Sequence, residues 1–254
     1  MNTDFDGRTC LIFGASSGIG AAVARRFGVL GVRLVIHCNT NRDGAEQVAA
    51  DIRTAGGKVE IVQGDLARPG VAANLVDDAL AQLGSLDIVI NNAGTMFGRT
   101  EIADATDEQY RQVIDLNIGG VFFASRRAAE IMRQRRRGTI ISTTSVAARS
   151  GGGGGAGLYG SAKAFVSTLT RVLAKELAPA GVRVNAVAPG VIATPFHERY
   201  STPEQLETSL RSIPLGRLGT AEDCVGAYEF LANERMSGYV TGQIIEVNGG
   251  QLMP

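Results

Sequence analysis

Seven short apolar runs rich in β-branched residues recur along this chain, at residues 9–13, 33–38, 58–63, 86–90, 139–143, 182–188 and 243–247. Between them the apolar residues fall at helical spacing, over 18–30, 44–55, 71–83, 107–133, 159–178 and 221–231. Buried strands alternating with amphipathic helices are most economically housed in a parallel sheet with helices on both faces and right-handed crossovers. The sequence therefore predicts an α/β fold of the Rossmann-like doubly wound type. It has a seven-stranded parallel sheet within a single domain, residues 1–254.

Charge narrows the function classes. Lysine and arginine number 25 and aspartate and glutamate 25, so no global field draws the chain to nucleic acid or an anionic membrane. No stretch approaches the roughly 20 apolar residues of a membrane span, and the first 30 residues lack a basic start followed by an apolar core. We expect a cytoplasmic protein. Cys10, Cys38 and Cys224 are an odd number of thiols without ligand spacing, and His37 and His197 stand apart, so no protein-built metal site is expected. The basic run 133–137 reads as a solvated helix end. The glycine-rich stretch 150–157 reads as a flexible loop, and residues 190–219, with three prolines after Gly190, read as a lid over a ligand crevice.

The first strand runs into Gly14, Ala15, Ser16, Ser17, Gly18, Ile19 and Gly20, and then into a helical pattern. Glycines here permit a tight turn, close approach of backbone to a pyrophosphate, and packing of helix on strand; the helix start aims free N–H groups and a positive dipole end at that phosphate. Such a turn alone is also compatible with tight packing. Tyr159 and Lys163 stand four apart in a helical segment, on one face. A phenol with a pKa of about 10 exchanges protons poorly at neutral pH, and a neighbouring ammonium favours the phenolate.

With this G-x-x-x-G-x-G spacing and the Tyr159–Lys163 pair, the chain resembles the short-chain dehydrogenase/reductase family, in particular 3-oxoacyl-[acyl-carrier-protein] reductases and glucose dehydrogenases. Further matches lie at Asp65-Leu66, Asn91-Asn92-Ala93-Gly94, Pro189-Gly190 with Thr194, and Gly242 with Asn248-Gly249-Gly250, in the family's order over nearly the whole chain. The resemblance implies a nicotinamide-dependent oxidoreductase that moves a hydride to or from a carbonyl or alcohol carbon. Tyr159 is its general acid/base and Lys163 binds the nicotinamide ribose. Ser145 orients the substrate oxygen, with Ser142 as the alternative, and Asn117 supports a proton-relay water. The cofactor would lie on Gly14, Ser16, Ser17, Gly18, Ile19 and Gly20, on Asp65, Leu66, Asn92, Ala93 and Gly94, and on Pro189, Gly190, Ile192 and Thr194. The family's helices pair across two-fold axes, which implies a homotetramer, with a dimer as the alternative.

Cofactor choice turns on the end of the second strand. An NAD-specific fold places a carboxylate about 20 residues past the glycine turn, and here that position is Cys38. With no carboxylate to repel a 2′-phosphate, Asn39, Thr40 and Asn41 as donors and Arg42 as a possible ion partner, the expectation is NADP(H) in preference to NAD(H). Substrate identity stays open between a 3-oxoacyl thioester and a sugar or polyol. For an acyl-carrier partner, Arg99 and Arg126–Arg127 are the available basic surface, though all three read better as solvated side chains. The rival function, a dinucleotide-sensing protein without turnover, has no need of Asn117, Ser145, Tyr159 and Lys163 together.

Overall fold

A computed structural model describes residues 4–253. Its seven strands are β1 (Thr9–Phe13), β2 (Arg33–Cys38), β3 (Lys58–Gln63), β4 (Ile88–Asn91), β5 (Gly138–Thr143), β6 (Val182–Pro189) and β7 (Ile244–Val247). They form one sheet in the order β3-β2-β1-β4-β5-β6-β7, and every pairing is parallel. The doubly wound sheet predicted from periodicity is thus observed, with strand ends shifted by at most two residues.

The helices are α1 (Gly18–Val29), α2 (Arg42–Thr54), α3 (Val71–Leu83), α4 (Asp107–Ile114), α5 (Val121–Arg135), α6 (Ala147–Ser150), α7 (Gly157–Leu177), α8 (Pro195–Tyr200), α9 (Pro203–Arg211), α10 (Ala221–Ala232) and α11 (Glu234–Ser237). They cover both sheet faces. On one, Ile12, Ile36 and Ile141 pack with Phe27 of α1 and Tyr228 and Leu231 of α10. On the other, Leu11, Val89 and Ile140 pack with Val76, Met132 and Leu177 of α3, α5 and α7. Strand residues alternate between these cores, which is why the strands read as nearly continuous apolar runs.

Two expectations need correction. The helix predicted over 107–133 is α4 and α5 joined by a π-helical turn, Asp115–Gly120. The extra residue per turn leaves the apolar pattern almost unchanged, so periodicity cannot reveal it. The segment 150–157 is held in place: Thr100 donates its N–H to Gly155 O (3.0 Å), and Arg99 donates to Gly154 O (2.9 Å). A Cβ on Gly155, which has φ +71°, would lie 2.7 Å from Thr100 N. This glycine is a condition of close backbone packing.

The order of the strands reverses between β1 and β4, so their crossovers leave on opposite faces and open a crevice at the strands' C-terminal ends.

Candidate active site

The crevice encloses about 1330 Å³ and begins at the glycine turn. Gly14 has φ +71°, and a Cβ there would stand 2.7 Å from Ala93 Cα, so side chains are excluded where β1 meets the chain leaving β4. Gly20 serves packing: a Cβ would strike Gly14 O and Asn92 Nδ2, and Gly20 does not line the crevice. The α1 N-cap, Ser17, makes no side-chain capping bond and the first turn holds no acidic residue, which leaves its N–H groups and dipole for an anion. The turn is fastened from three sides. Asn92 Nδ2 donates to Gly14 O (2.8 Å), Ala15 N to His37 O (2.9 Å), and Gly14 N to His37 Nδ1 (3.2 Å). His37 Nε2 reaches Gly64 O at 2.8 Å, which fixes the neutral ring with its proton on Nε2. Burial, ahead of all other influences, holds the His37 pKa below its ordinary value.

The other expected cofactor residues gather along the same crevice. Ser16, Gly18 and Ile19 line it from the turn, and Asn39 from the end of β2. Asp65, Leu66, Ala93 and Gly94 line the floor, while Pro189, Gly190, Ile192 and Thr194 form the far side. Arg42 is an exception. Its Nε and an Nη donate to Glu46 Oε1 at 3.0 and 2.6 Å, one turn along α2, and its side chain does not reach the crevice. Cys38 is buried in the core, so the crevice meets Asn39, Thr40 and Asn41 instead. A carboxylate-free, donor-rich rim and a glycine cradle next to a free helix N-terminus fit a dinucleotide.

At the centre, α7 presents Tyr159 and Lys163 to the crevice. Lys163 is fully buried, donates to Thr143 O (2.9 Å), and sets its ammonium 5.6 Å from the Tyr159 ring centroid. Burial lowers its pKa to about 8. Burial pushes the Tyr159 phenol well above its ordinary value, and a hydrogen bond with the Ser145 hydroxyl draws it partly back. Ser142 lies within β5 and accepts from Asn91 Nδ2 (3.4 Å), away from the crevice lining. Of the two serines, only Ser145 is brought to Tyr159.

Asn117 sits in the π-helical turn, fully buried. Its Nδ2 donates to Thr95 O (2.8 Å) and Val113 O (2.9 Å), while Oδ1 has no hydrogen-bond partner among the described residues. A Cβ placed on Gly94 would lie 2.7 Å from that Oδ1 and 3.0 Å from Lys163 Nζ, so these two polar atoms face the same glycine. The π turn aims the Asn117 amide at the lysine end of the site.

Five further residues, Thr143, Tyr228, Phe196, Tyr200 and Arg99, have little sequence signal. Thr143 gives Lys163 its acceptor and links Asn92 Oδ1 (3.3 Å) to the buried Tyr228 hydroxyl (2.7 Å). Phe196 of α8 stacks between Tyr159 and Tyr200, at centroid distances of 5.5 and 5.2 Å. Arg99 points inward: Nε donates to Tyr200 O, one Nη to Gly154 O (2.9 Å) and the other to Ser201 Oγ (3.4 Å). It ties the chain after β4, the glycine segment and the end of α8 together. Arg99 is therefore neither a solvated side chain nor part of a basic docking surface with Arg126–Arg127. Arg127 pairs with Asp77 (2.7 Å) and Glu130 (2.8 Å), and Arg126 lies over Phe123 (5.2 Å).

Known proteins resemble this whole arrangement. The sequence profile described as Enoyl-(Acyl carrier protein) reductase matches residues 14–251. The 3beta-hydroxysteroid dehydrogenase 1 of Eggerthella lenta is 38% identical, over 100% of this chain and 97% of that protein. The 3-oxoacyl-[acyl-carrier-protein] reductase of a Synechocystis strain is 37% identical, over 99% of both chains. A crystal structure of a short-chain type dehydrogenase/reductase from Mycobacterium marinum superposes with a TM-score of 0.93 at 34% identity, over 99% of this chain and 98% of that one. Fold, site and sequence agree, and the chain belongs to the short-chain dehydrogenase/reductase family of nicotinamide-dependent oxidoreductases.

Proposed function

We propose that the protein interconverts a carbonyl and a secondary alcohol with Tyr159 as general acid/base, and that the observation carrying this is the convergence of Ser145, Tyr159 and the buried Lys163 on one crevice, with Lys163 Nζ 5.6 Å from the Tyr159 ring centroid. When bound, a nicotinamide dinucleotide supplies or accepts the hydride. In reduction, Ser145 and Tyr159 hold the substrate oxygen and stabilise the charge that develops on it. Tyr159 releases its proton to that oxygen. Lys163, polarised by Thr143 O, stabilises the phenolate that remains, and Asn117 Oδ1 anchors the route by which a proton returns. Oxidation runs through the same groups in reverse.

NADP(H) is the proposed preference. Its support is the carboxylate-free rim of Asn39, Thr40 and Asn41. The Arg42–Glu46 pair withdraws the cation that would have strengthened the case, so NAD(H) stands as the second reading. Residues 190–219 act as the lid: α8 and α9 contribute Phe196, Tyr200, Gln205 and Thr208 to the crevice wall. A homotetramer is proposed on the outward apolar faces of α5 and α7, where Phe122, Phe123, Phe165 and Val172 are partly exposed. We place the protein in the cytoplasm.

The test is to mix protein, NADPH or NADH, and a panel of 3-oxoacyl thioesters, hydroxysteroid ketones and keto-sugars, and to follow absorbance of the reduced nicotinamide. Turnover with at least one class is expected. Dinucleotide binding with no turnover across the panel and in the oxidative direction would favour a sensing protein.

A further inference from the structure

At the opposite end of the sheet, the starts of β4, β5 and β6 border a second cavity of about 480 Å³. Its charged wall comprises Arg8, Arg137 and Arg183 against Asp87 and Glu234. Both carboxylates are already matched. Asp87 accepts from Thr9 N (3.0 Å), Thr9 Oγ1 (3.1 Å) and Arg135 Nη (3.4 Å), and Glu234 pairs with Arg8 at 2.7 Å.

Two guanidinium groups are left over. Arg183 spends its bonds on neutral acceptors, Leu231 O (2.8 Å), Ser237 Oγ (3.1 Å) and Val240 O (3.4 Å), which leaves Nε–H and one Nη–H. Burial, with Arg8 nearby, holds its pKa below the ordinary arginine value against the pull of Glu234, so the compensation for removing this cation from water is partial. The Arg137 side chain makes no hydrogen bond among the described residues and is attracted only at longer range to Glu234, whose charge Arg8 and Arg183 share.

A third donor sits beside them. Thr139 is the register partner of Arg183 across β5 and β6, so the two side chains share a sheet face. It is 4% exposed and lines the cavity; its Oγ1, sealed from solvent in this rotamer, has no hydrogen-bond partner among the described residues, and rotation about Cα–Cβ would turn it toward a ligand. An unmatched buried hydroxyl is destabilising, and valine at this strand position would avoid that cost. Three donor groups from separate segments, each short of an acceptor, border one cavity whose remaining wall includes Ile88, Val182 and Ala232. A tetrahedral oxyanion can accept from three directions at once, whereas a carboxylate offers two oxygens in one plane.

We infer that this cavity binds a small phosphate monoester, its phosphate on Arg137, Arg183 and Thr139 and its organic part on the apolar wall. The test compares thermal stability in phosphate and in chloride at equal ionic strength, for the parent, Thr139→Val and Arg137→Gln. Inorganic phosphate is expected to raise the Tm of the parent by about 3 °C near saturation. Arg137→Gln should keep the parent's chloride Tm, Thr139→Val should raise it by about 2–4 °C, and both should keep the parent's dinucleotide affinity and lose most of the phosphate-dependent rise. No rise in the parent, or an equal rise in all three, overturns the site, the latter because phosphate in the catalytic crevice cannot sense Thr139. Phenyl phosphate should act at roughly one-tenth the concentration of inorganic phosphate; equal potency would remove the organic part of the ligand. A larger response to malonate would overturn the phosphate assignment.

Discussion

Lys163 Nζ donates to the backbone carbonyl of Thr143 at 2.9 Å, so the C-terminal end of β5 and the second turn of α7 are joined through a buried cation. With its pKa lowered to about 8 by burial, the ammonium is present below that pH and lost above it. We expect kcat/KM for the dinucleotide to fall as pH rises through about 8, and Lys163→Met to abolish that step. Stability should respond the other way. Between about 8 and the ordinary 10.5 the unfolded chain binds the proton that the folded one has released, so this group makes folding more favourable as pH rises. A dinucleotide pH profile with the same step in parent and variant would remove Lys163 from the reading.

Tyr159→Phe should retain fold and dinucleotide binding and lose at least ~10³-fold in turnover. Ser145→Ala should cost more activity than Ser142→Ala, because Ser142 bonds within the sheet and its loss falls on stability. Steady-state kinetics beside a melting curve decide the ranking, and a Tyr159→Phe enzyme within tenfold of the parent refutes the acid/base assignment.

Arg99 holds Tyr200, Ser201 and Gly154 with one side chain. Hydrogen bonds from a charged donor contribute about 1.5–3 kcal/mol each, so freeing the lid is expected to lower kcat/KM about 10- to 100-fold, chiefly through KM. Lysine, with a single point of attachment, should not restore it. An unchanged KM in Arg99→Ala would mean the lid is held by other contacts.

His37 accepts from Gly14 N on its unprotonated nitrogen. Its pKa is depressed by burial, so as pH falls below the ordinary 6.5 the unfolded state takes up a proton first and stability declines. Melting temperatures from pH 7 to 5 should fall less steeply in His37→Gln than in the parent, and the variant should bind dinucleotide about fivefold more weakly at neutral pH. Parallel Tm profiles would show that His37 does not titrate in this window.

Cofactor choice is decided by kcat/KM for NADPH against NADH. Asn39→Asp places a carboxylate on the crevice rim and should shift the ratio toward NADH. At Cys38 the same substitution would bury the charge in the core. A parent that favours NADH, or an unmoved ratio in Asn39→Asp, relocates the ribose pocket.

The parts that were legible in the sequence are those governed by a period or by backbone geometry. Two-residue alternation and apolar runs give the seven strands, Gly14 and Gly18 are needed where φ is positive, and an i,i+4 step brings Tyr159 and Lys163 to one face. Where a side chain's role depends on what another segment places beside it, the sequence is silent. Arg99 lies in an irregular connection with no period, and its partners come from residues 154 and 200–201. Asn117 owes its aim to a π turn that leaves the apolar spacing intact. Arg42 shows the reverse: its pairing with Glu46 is a local four-residue step, readable on any helix that begins at residue 42.

The glycine segment also governs how this enzyme could change its substrate. One wall of the crevice, residues 152–154, carries no side chains, and Gly155 behind it admits none because Thr100 N stands in the way. Gly152 is likewise closed, with φ +78° and a Cβ position 2.8 Å from Ala156 Cβ, so only positions 153 and 154 of this wall have room for a side chain. Variation must accumulate on the facing wall, at Phe196, Tyr200, Gln205 and Thr208, where altered side chains leave the Ser145–Tyr159–Lys163 centre in place. Libraries that randomise α8 and α9 should yield altered specificity more often than libraries that randomise 151–155, whose active members should keep glycine at 152 and 155.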